Sequence, residues 1–160
     1  MSILLAIDPG PTESAWLTYD TETRVPVEWA KQENHDSLVW FGRVASDCDH
    51  LAVEAIASYG MSVGAEVFTT CIWVGRFVER WEDGYGVSLP RLVYRREVKL
   101  HICNDTRAKD ANVRQALIDR YGGKAKAIGL KKSPGPLYGL HGDCWSALAV
   151  AITAAETEAS

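Results

Sequence analysis

The chain has 160 residues, 47% of them hydrophobic, which predicts a single α/β domain over residues 1–160 with a sizeable core. No stretch has the roughly 18 apolar residues of a membrane span, and the start of the chain lacks the order of a signal peptide, so we expect a cytosolic protein. The net charge of −4 argues mildly against nucleic acid as a partner. However, residues 91–132 carry 12 basic and 4 acidic residues, a net of +8, which is either a nucleic-acid footprint or an ordinary solvated surface.

The chain begins with a short apolar strand that ends in an acid. Ile3–Ile7 has the pattern of a strand buried on both faces, and Asp8 follows it directly. A Pro-Gly-Pro turn then leads into a returning strand over Glu13–Tyr19. An ionised carboxylate beside a core strand is costly unless a cation or hydrogen bonds meet it. Asp8 is therefore a candidate site carboxylate, with a plain turn-capping role as the alternative.

The next elements complete a three-stranded opening and return to the core. Alternating residues over Arg24–Glu33 predict a third strand, at an edge because it contains a proline. Asp36 is in position to cap a helix over Ser37–Val44. His50–Ile56 then predicts another core strand, and Glu54 within it is a second acid that the pattern would bury.

Strands and helices alternate through the second half of the chain. The longest helix is predicted over Met61–Trp81, and its wide apolar face indicates cover on two sides, either by the sheet and a second subunit or by a deep core. A strand over Leu89–Tyr94 and helices over Arg95–Ile102 and Ala108–Tyr121 follow. Gly122–Leu140 predicts a long basic loop, of a length that is usually functional or mobile. The four cysteines are too widely spaced for a disulfide framework or a zinc site and are expected to be buried free thiols: Cys48, Cys71, Cys103 and Cys144.

The last predicted helix, Asp143–Glu156, begins with a third acid. An acid in a first turn is ordinary because it complements the helix dipole, so Asp143 alone indicates little. An RNase H-like sheet, however, would pair the strands of Asp8 and Glu54 and lay the last helix across them. Three carboxylates gathered in this way cannot all stay ionised without a cation. Oxygen ligands favour Mg²⁺ or Mn²⁺, and two such ions can activate a water to cleave a phosphodiester.

Four segments follow one another along nearly the whole chain. They are the strand that ends in Asp8-Pro9-Gly10, the Val53-Glu54-Ala55 strand, the stretch from Val98-Lys99 through residues 107–113, and the helix start over residues 143–149. In this order, and with this content between them, they resemble the RuvC family of Holliday junction resolvases in its short bacteriophage-type form.

The resemblance implies an RNase H-like fold, in which helices flank a central mixed five-stranded sheet, and a homodimer. It implies a crossover junction endodeoxyribonuclease of recombination and DNA repair, which cleaves four-way DNA junctions by symmetric nicks with two Mg²⁺ or Mn²⁺ ions. The expected location is the cytosol of a bacterium or of a phage-infected host. Asp8, Glu54 and Asp143 match the family's metal-binding acids.

The resemblance also implies DNA contacts beyond the acids. Lys99 and Lys109 match basic residues near the junction backbone, with Lys109 close enough to assist phosphate charge. Tyr59 falls where the family has an aromatic residue that stacks on bases at the crossover, with an ordinary loop tyrosine as the alternative. The other basic residues expected at the DNA are Arg107, Lys131 and Lys132.

One position departs from the family pattern. Where members commonly place a further acid, this sequence has Ser146, a weak metal ligand that still shares a helix face with Asp143. His141 could compensate as a ligand or as a water-orienting base, with a plain loop histidine as the alternative. The departure concerns the second metal position and the rate rather than the class of reaction.

Three other functions fit parts of the pattern. A nuclease of the same fold with RNA or other branched DNA as substrate needs the same acids, because metal-site acids do not encode substrate shape. An actin-like or sugar-kinase ATPase would use residues 8–12 as a phosphate turn, but it also needs a second phosphate turn that the sequence lacks. A non-catalytic DNA-binding recombination scaffold is favoured only by the serine at position 146.

Overall fold

A mixed five-stranded sheet forms the centre of the protein, in the order β3-β2-β1-β4-β5. The computed structural model describes residues 1–86 and 88–157, so Val87 and residues 158–160 of the predicted domain lie outside the described residues. The predicted α/β class with a mixed sheet of five strands is confirmed, and β3 lies at an edge as expected. The strands are β1 (Ile3–Pro9), β2 (Glu13–Asp20), β3 (Val25–Glu33), β4 (His50–Ala55) and β5 (Arg91–Tyr94).

Helices lie on both faces of this sheet. Asp36 directly precedes α1, but its side chain makes no capping hydrogen bond, and its Oδ1 lies 3.4 Å from His35 Nε2 instead. In the part of the chain that the structure describes, no helix combines the length and the apolar character needed to cross a membrane. The helices are α1 (Ser37–Ala45), α2 (Ala65–Gly84), α3 (Arg95–Cys103), α4 (Asp110–Arg120), α5 (Lys124–Ala127) and α6 (Cys144–Glu156).

Strand direction brings three strand ends to one edge of the sheet. β1 and β2 form an antiparallel hairpin, whereas β1 pairs with β4, and β4 with β5, in parallel. The carboxyl ends of β1, β4 and β5 therefore meet at the same edge. Residues of β1 and β4 are buried on both faces because helices cover both sides, which explains their nearly continuous apolar sequence.

The two faces of the sheet carry different side chains. The face against α6 presents small residues, among them Ala6, Ala15 and Ala52, and α6 packs against this face with small residues of its own. The opposite face packs against α1 and α2 through large aromatic side chains: Trp16, Trp40, Phe41, Phe77 and Trp81. A helix can approach the first face closely, while the second holds a thick aromatic layer.

Helix α2 differs from its predicted bounds and is covered on one side only. It begins at Ala65 rather than at residue 61, because Gly60 adopts a positive φ of 80° and Gly64 is still extended. Phe77 is fully buried, whereas Phe68 and Ile72 are 64% and 57% exposed. Half of the wide apolar face predicted from the sequence is therefore open in the single chain.

The long loop predicted after α4 contains regular structure. Besides α5, it forms a two-stranded hairpin of β6 (Gly129–Leu130) and β7 (Ser133–Pro134). The hairpin is attached to α5, since the Leu137 N–H donates to the Ala127 carbonyl at 2.8 Å and Leu137 is buried. The prediction of a loop throughout this segment was wrong, because elements of two to four residues are too short to produce a periodic pattern.

The four cysteines are free thiols, as predicted. Cys48 and Cys144 are buried, and burial raises the pKa of these thiols to about 12 and about 11. The predicted burial is wrong for Cys71, which lies on the open side of α2 and is exposed, and Cys103 is only partly buried.

Candidate active site

Two acidic side chains lie next to each other where β1 and β4 end. Ile7 is paired with Val53 in the parallel ladder, so the residues that follow them, Asp8 and Glu54, are neighbours. Their carboxyl groups are close enough for each to affect the pKa of the other. Only 11% of the Glu54 side chain is exposed. The neighbouring position predicted for these two acids is thus observed.

Burial raises the pKa values of both carboxyl groups. Burial raises the pKa of Asp8 well above its ordinary value, and the charges of Glu54 and Asp143 raise it further. Burial also raises the pKa of Glu54, while the neighbouring Arg95 lowers it. The pair therefore keeps a proton over a pH range in which isolated acids would both be ionised. Positive charge at this position would be stabilised.

Asp143 reaches the same region from the helical layer. It directly precedes α6, after a turn in which Gly139 and Gly142 have positive φ values of 84° and 50°. The small buried residues of α6 let the helix lie close against the alanines of the sheet. Asp143 makes no capping hydrogen bond to α6, and its side chain is 51% exposed. Its carboxylate is therefore available for contacts with groups outside the helix.

Lys31 is the direct partner of Asp143, and the sequence analysis did not single it out. Asp8 is opposite Ala15 and Ala15 is opposite Lys31, so the lysine belongs to the same row across the sheet. Its Nζ donates to Asp143 Oδ2 at 2.6 Å and lies 3.6 Å from Glu13 Oε2. The hydrogen bond to Asp143 raises the pKa of Lys31. The register of the β2–β3 hairpin was the signal that could have found it.

Arg95 plays the corresponding part at Glu54, and it too was missed. It is the first residue of α3, directly after β5. Its Nη1 donates to Glu54 Oε1 at 3.1 Å, and its Nη2 donates to Asp110 Oδ1 in the first turn of α4. The ion pairs raise the pKa of Arg95 against the opposing effect of burial. Its place after the strand next to β4 would have predicted this contact.

A cavity of about 320 Å³ opens beside these acids, between β4, α3, α4 and α6. Glu54 and Asp143 lie on its walls together with Lys99, and Arg114 stacks over the Trp145 ring with 4.8 Å between guanidinium carbon and ring centroid. Ser146 also lines it and is half-buried. Acidic and basic groups around one cavity suit a phosphate backbone held against a cation.

The donor set fits a hard divalent cation in its chemistry. Asp8, Glu54 and Asp143 offer carboxylate oxygens, the ligands that Mg²⁺ and Mn²⁺ prefer. The pKa of Asp8 is raised by burial and then by the charges of the other two acids, and a cation would offset both effects. Within residues 1–86 and 88–157, however, no three His, Cys, Asp or Glu side chains are placed together as metal ligands. Two of the three acids are instead engaged by Lys31 and Arg95.

The basic residues expected near the acids lie at different distances from the cavity. Lys99 lines it from α3. Lys109 precedes α4 and is exposed, and its backbone N–H donates to Asn112 Oδ1 at 2.9 Å. Arg107 is exposed, with its Nε 3.6 Å from Asp105 Oδ1. Of these three side chains, only Lys99 is brought to the cavity wall.

The remaining predicted residues are exposed and do not line the cavity. Tyr59 is 57% exposed in the loop after β4, and the guanidinium carbon of Arg96 lies 5.8 Å from its ring centroid. His141 is exposed, with its Nδ1 3.0 Å from the Gly139 carbonyl oxygen. Residues 131 and 132 are the two lysines at the turn of the β6–β7 hairpin, both exposed.

No protein-family model and no curated protein sequence matches this chain. Among solved structures, it is similar to RuvC of Thermus thermophilus, with a TM-score of 0.61 and 16% identity over 94% of this chain and 92% of that chain. It is also similar to T. thermophilus RuvC in complex with a Holliday junction substrate, with a TM-score of 0.63 and 17% identity over 96% of this chain and 92% of that chain. The chain thus has the RuvC-like, RNase H-like fold expected from its sequence.

Proposed function

We propose that this chain is a metal-dependent endonuclease that resolves four-way (Holliday) DNA junctions by hydrolysing phosphodiester bonds. The carrying observation is the pair of neighbouring buried acids, Asp8 and Glu54, at the ends of the central parallel strands, with the charge of Asp143 acting on Asp8. The RuvC-like fold supports the same function, and one solved structure of that fold is a complex with a Holliday junction substrate. We further propose that the chain is a short, bacteriophage-type member of the RuvC family and that it acts in the cytosol of the host cell.

In the proposed mechanism the three acids hold Mg²⁺ or Mn²⁺, in two positions. When bound, the ions activate a water and stabilise the leaving oxygen of the scissile phosphate. Asp8 lies between the other two acids and is proposed as the bridging ligand, with Glu54 and Asp143 as flanking ligands. Their negative charges would hold the cations, and the cations would in turn attract the phosphate.

Two further side chains have proposed roles in the reaction. When Nδ1–H of His141 donates to the Gly139 carbonyl, Nε2 is left as a proton acceptor, which suits a group that orients or deprotonates water. Lys109, exposed beside the first turn of α4, is proposed to neutralise phosphate charge from outside the cavity.

The DNA path is proposed to follow the exposed aromatic and basic residues around the cavity. Tyr59 presents an exposed ring for stacking on a base at the crossover, a contact worth about 1–3 kcal/mol in single-strand binders. Lysine and arginine side chains would contact the backbone and make the affinity salt-dependent. These are Lys99, Arg107, Lys109, Lys131 and Lys132.

A homodimer is part of the proposal, because symmetric nicking needs two sites related by the symmetry of the junction. The open side of α2 supports it, since Phe68 and Ile72 expose a contiguous apolar surface in the single chain. Gly75, one turn further, has no atom within 4 Å of a Cβ built on it, so a second helix could approach closely. Sedimentation of the purified chain would measure its oligomeric state.

The direct test is incubation with labelled four-way, duplex and single-stranded DNA, with and without Mg²⁺. We expect paired nicks in the four-way substrate only, and only with the metal. Equal cutting of duplex DNA would indicate a nuclease of the same fold with broader substrates. Tight junction binding without cutting in any metal would indicate the non-catalytic scaffold, which Ser146 and the engaged carboxylates favour.

A further inference from the structure

Two of the candidate metal-binding acids are each held by a basic side chain that also contacts a second acid. Lys31 Nζ lies 2.6 Å from Asp143 Oδ2 and 3.6 Å from Glu13 Oε2. Arg95 donates through Nη1 to Glu54 Oε1 at 3.1 Å and through Nη2 to Asp110. The same arrangement thus occurs twice, with an inner acid, a cation and an outer acid.

The two cations approach the acids from opposite sides. Lys31 comes from β3 at one edge of the sheet, and Arg95 comes from the start of α3 beyond β5 at the other. The inner acid Glu54 is 11% exposed, whereas the outer acid Asp110 is 75% exposed. Arg95 therefore joins a buried acid of the site to an acid closer to solvent, whereas both acids that Lys31 contacts are exposed.

We propose that Lys31 and Arg95 are positioning residues that act as internal counter-ions, which hold Asp143 and Glu54 without a divalent cation and compete with that cation for them. When the cation binds, Lys31 and Arg95 turn to Glu13 and Asp110. This inference rests on the proposed function, because it concerns the metal that the endonuclease would use.

The counter-ions have a physical reason to be there. Without them, three carboxylates in one region would repel each other or take up protons. With them, the metal must displace an ammonium and a guanidinium, so the apparent metal affinity is lowered by the strength of those contacts. The carboxylate–cation contacts also account for the finding that no three acids lie together as metal ligands in the described part of the chain.

The test measures Mn²⁺ binding to the full chain by the electron paramagnetic resonance signal of free Mn²⁺, with no DNA present. We expect Arg95→Gln to bind Mn²⁺ about five- to tenfold more tightly than the wild type, because the competing contact is made to the buried Glu54. Lys31→Gln should tighten binding by about two- to fivefold, because its contact with Asp143 is exposed. The matched control is Arg114→Gln, which removes one positive charge from the same cavity. Because Arg114 stacks on Trp145 and holds none of the three acids, we expect the Mn²⁺ affinity to change by less than about twofold.

A double-mutant cycle separates the outer acid from a general field effect. Asp110→Asn should weaken Mn²⁺ binding when Arg95 is present, because the guanidinium then has only Glu54 as partner. In the Arg95→Gln background, the same substitution should have a clearly smaller effect. Equal effects in both backgrounds would contradict the role of Asp110. A separate variant, Arg95→Lys, should bind Mn²⁺ with an affinity between those of the wild type and Arg95→Gln.

The outcomes distinguish this inference from the proposed function. If the wild type binds Mn²⁺ and Asp8→Asn does not, but Arg95→Gln and Lys31→Gln match the wild type, the counter-ion role is wrong and the metal site stands. If neither the wild type nor any variant binds Mn²⁺, both proposals are overturned. Circular dichroism of each variant checks that the chain is folded.

Discussion

The two faces of the central sheet differ in the side chains that pack against them. On the α1 and α2 face, Phe77 lies 5.4 Å from Trp40 and 5.8 Å from Phe41 between ring centroids, in a continuous aromatic layer. On the α6 face, alanines of the sheet lie among leucine, valine and tyrosine side chains, and the strands there end in Asp8 and Glu54. Large side chains bury more apolar area, whereas small ones bring a helix close. The comparison teaches that both faces carry a buried core, whereas only the α6 face also carries the candidate chemistry.

The largest expected effect is on the α6 face. Asp8→Asn should reduce junction cleavage by at least about 10³-fold, since it removes the proposed bridging metal ligand. Junction binding should be retained because the basic surface is unchanged. Single-turnover cleavage and gel-shift assays on the same four-way substrate measure the two. Cleavage at the wild-type rate would rule out Asp8 as a ligand.

The opposite face should respond in stability. Phe77→Ala should lower the free energy of unfolding by about 3–5 kcal/mol, because it leaves a cavity in the aromatic layer. Urea unfolding measures this, and Leu38→Ala, at a side chain 73% exposed on α1, is a control expected to cost less than about 0.5 kcal/mol. A similar small cost for both variants would mean that the aromatic layer contributes little to stability.

An enlarged residue on the α6 face should disturb both properties. Ala52→Leu should cost about 1–3 kcal/mol through overpacking and should also slow cleavage, since α6 and Asp143 would be pushed away from the sheet. The neighbouring Val53 faces α1 and α2, so Val53→Ile should cost stability without slowing cleavage in the folded protein. If the two variants slow cleavage equally, the division between the faces does not hold.

The buried acids should make stability depend on pH. The raised pKa of Asp8 means that the folded chain holds this proton more tightly than the unfolded chain. The resulting stability is fully present below the ordinary carboxyl pKa and is lost as pH rises through the raised value. In metal-free buffer, the free energy of unfolding should fall above about pH 4, by up to about 1.4 kcal/mol per pH unit for one proton.

Asp8→Asn should remove most of this slope, and the exposed Glu28→Gln should not. Urea unfolding at several pH values with a chelator present gives the comparison. Identical slopes for the wild type and Asp8→Asn would show that another group binds the proton.

The smallest effect concerns DNA affinity at the cavity rim. If Lys99 and Lys109 contact phosphates, replacing each by Ala should reduce the slope of log affinity against log salt concentration by about 0.9. Fluorescence anisotropy with a labelled junction measures the slope, with Lys124→Ala in α5 as the control. An unchanged slope in the double variant would move the DNA path elsewhere.

The fold was largely predictable from the sequence because its strands are short apolar runs with clear turn signals. The Ile3–Ile7 run and the Pro-Gly-Pro turn, for example, predicted the β1–β2 hairpin that is observed. Short elements without a period were missed, such as α5 and the β6–β7 hairpin. The start of α2 was also missed, since its apolar residues continue upstream into a segment that glycines keep extended.

The neighbouring acids of the site were predictable, but their basic partners were not. Asp8 ends an apolar run and Glu54 interrupts one, which makes both visible in the sequence alone. Lys31 and Arg95 stand among other polar residues and gain their meaning only from the register of β2 with β3 and from the position of α3. A residue's type is known from the sequence, whereas its ion-pair partner depends on how distant strands and helices are arranged in the fold.

The attachment of the β6–β7 hairpin has a consequence for any ligand that meets its two lysines. Gly135 leaves no room for a side chain, since a Cβ there would come within 2.2 Å of the Lys126 carbonyl oxygen, and its N–H donates to the Ile128 carbonyl at 2.9 Å. The backbone at the tip is thereby preorganised when the chain folds. That backbone has little conformational entropy left to lose on association, so a ligand that meets Lys131 and Lys132 would have to order only their side chains.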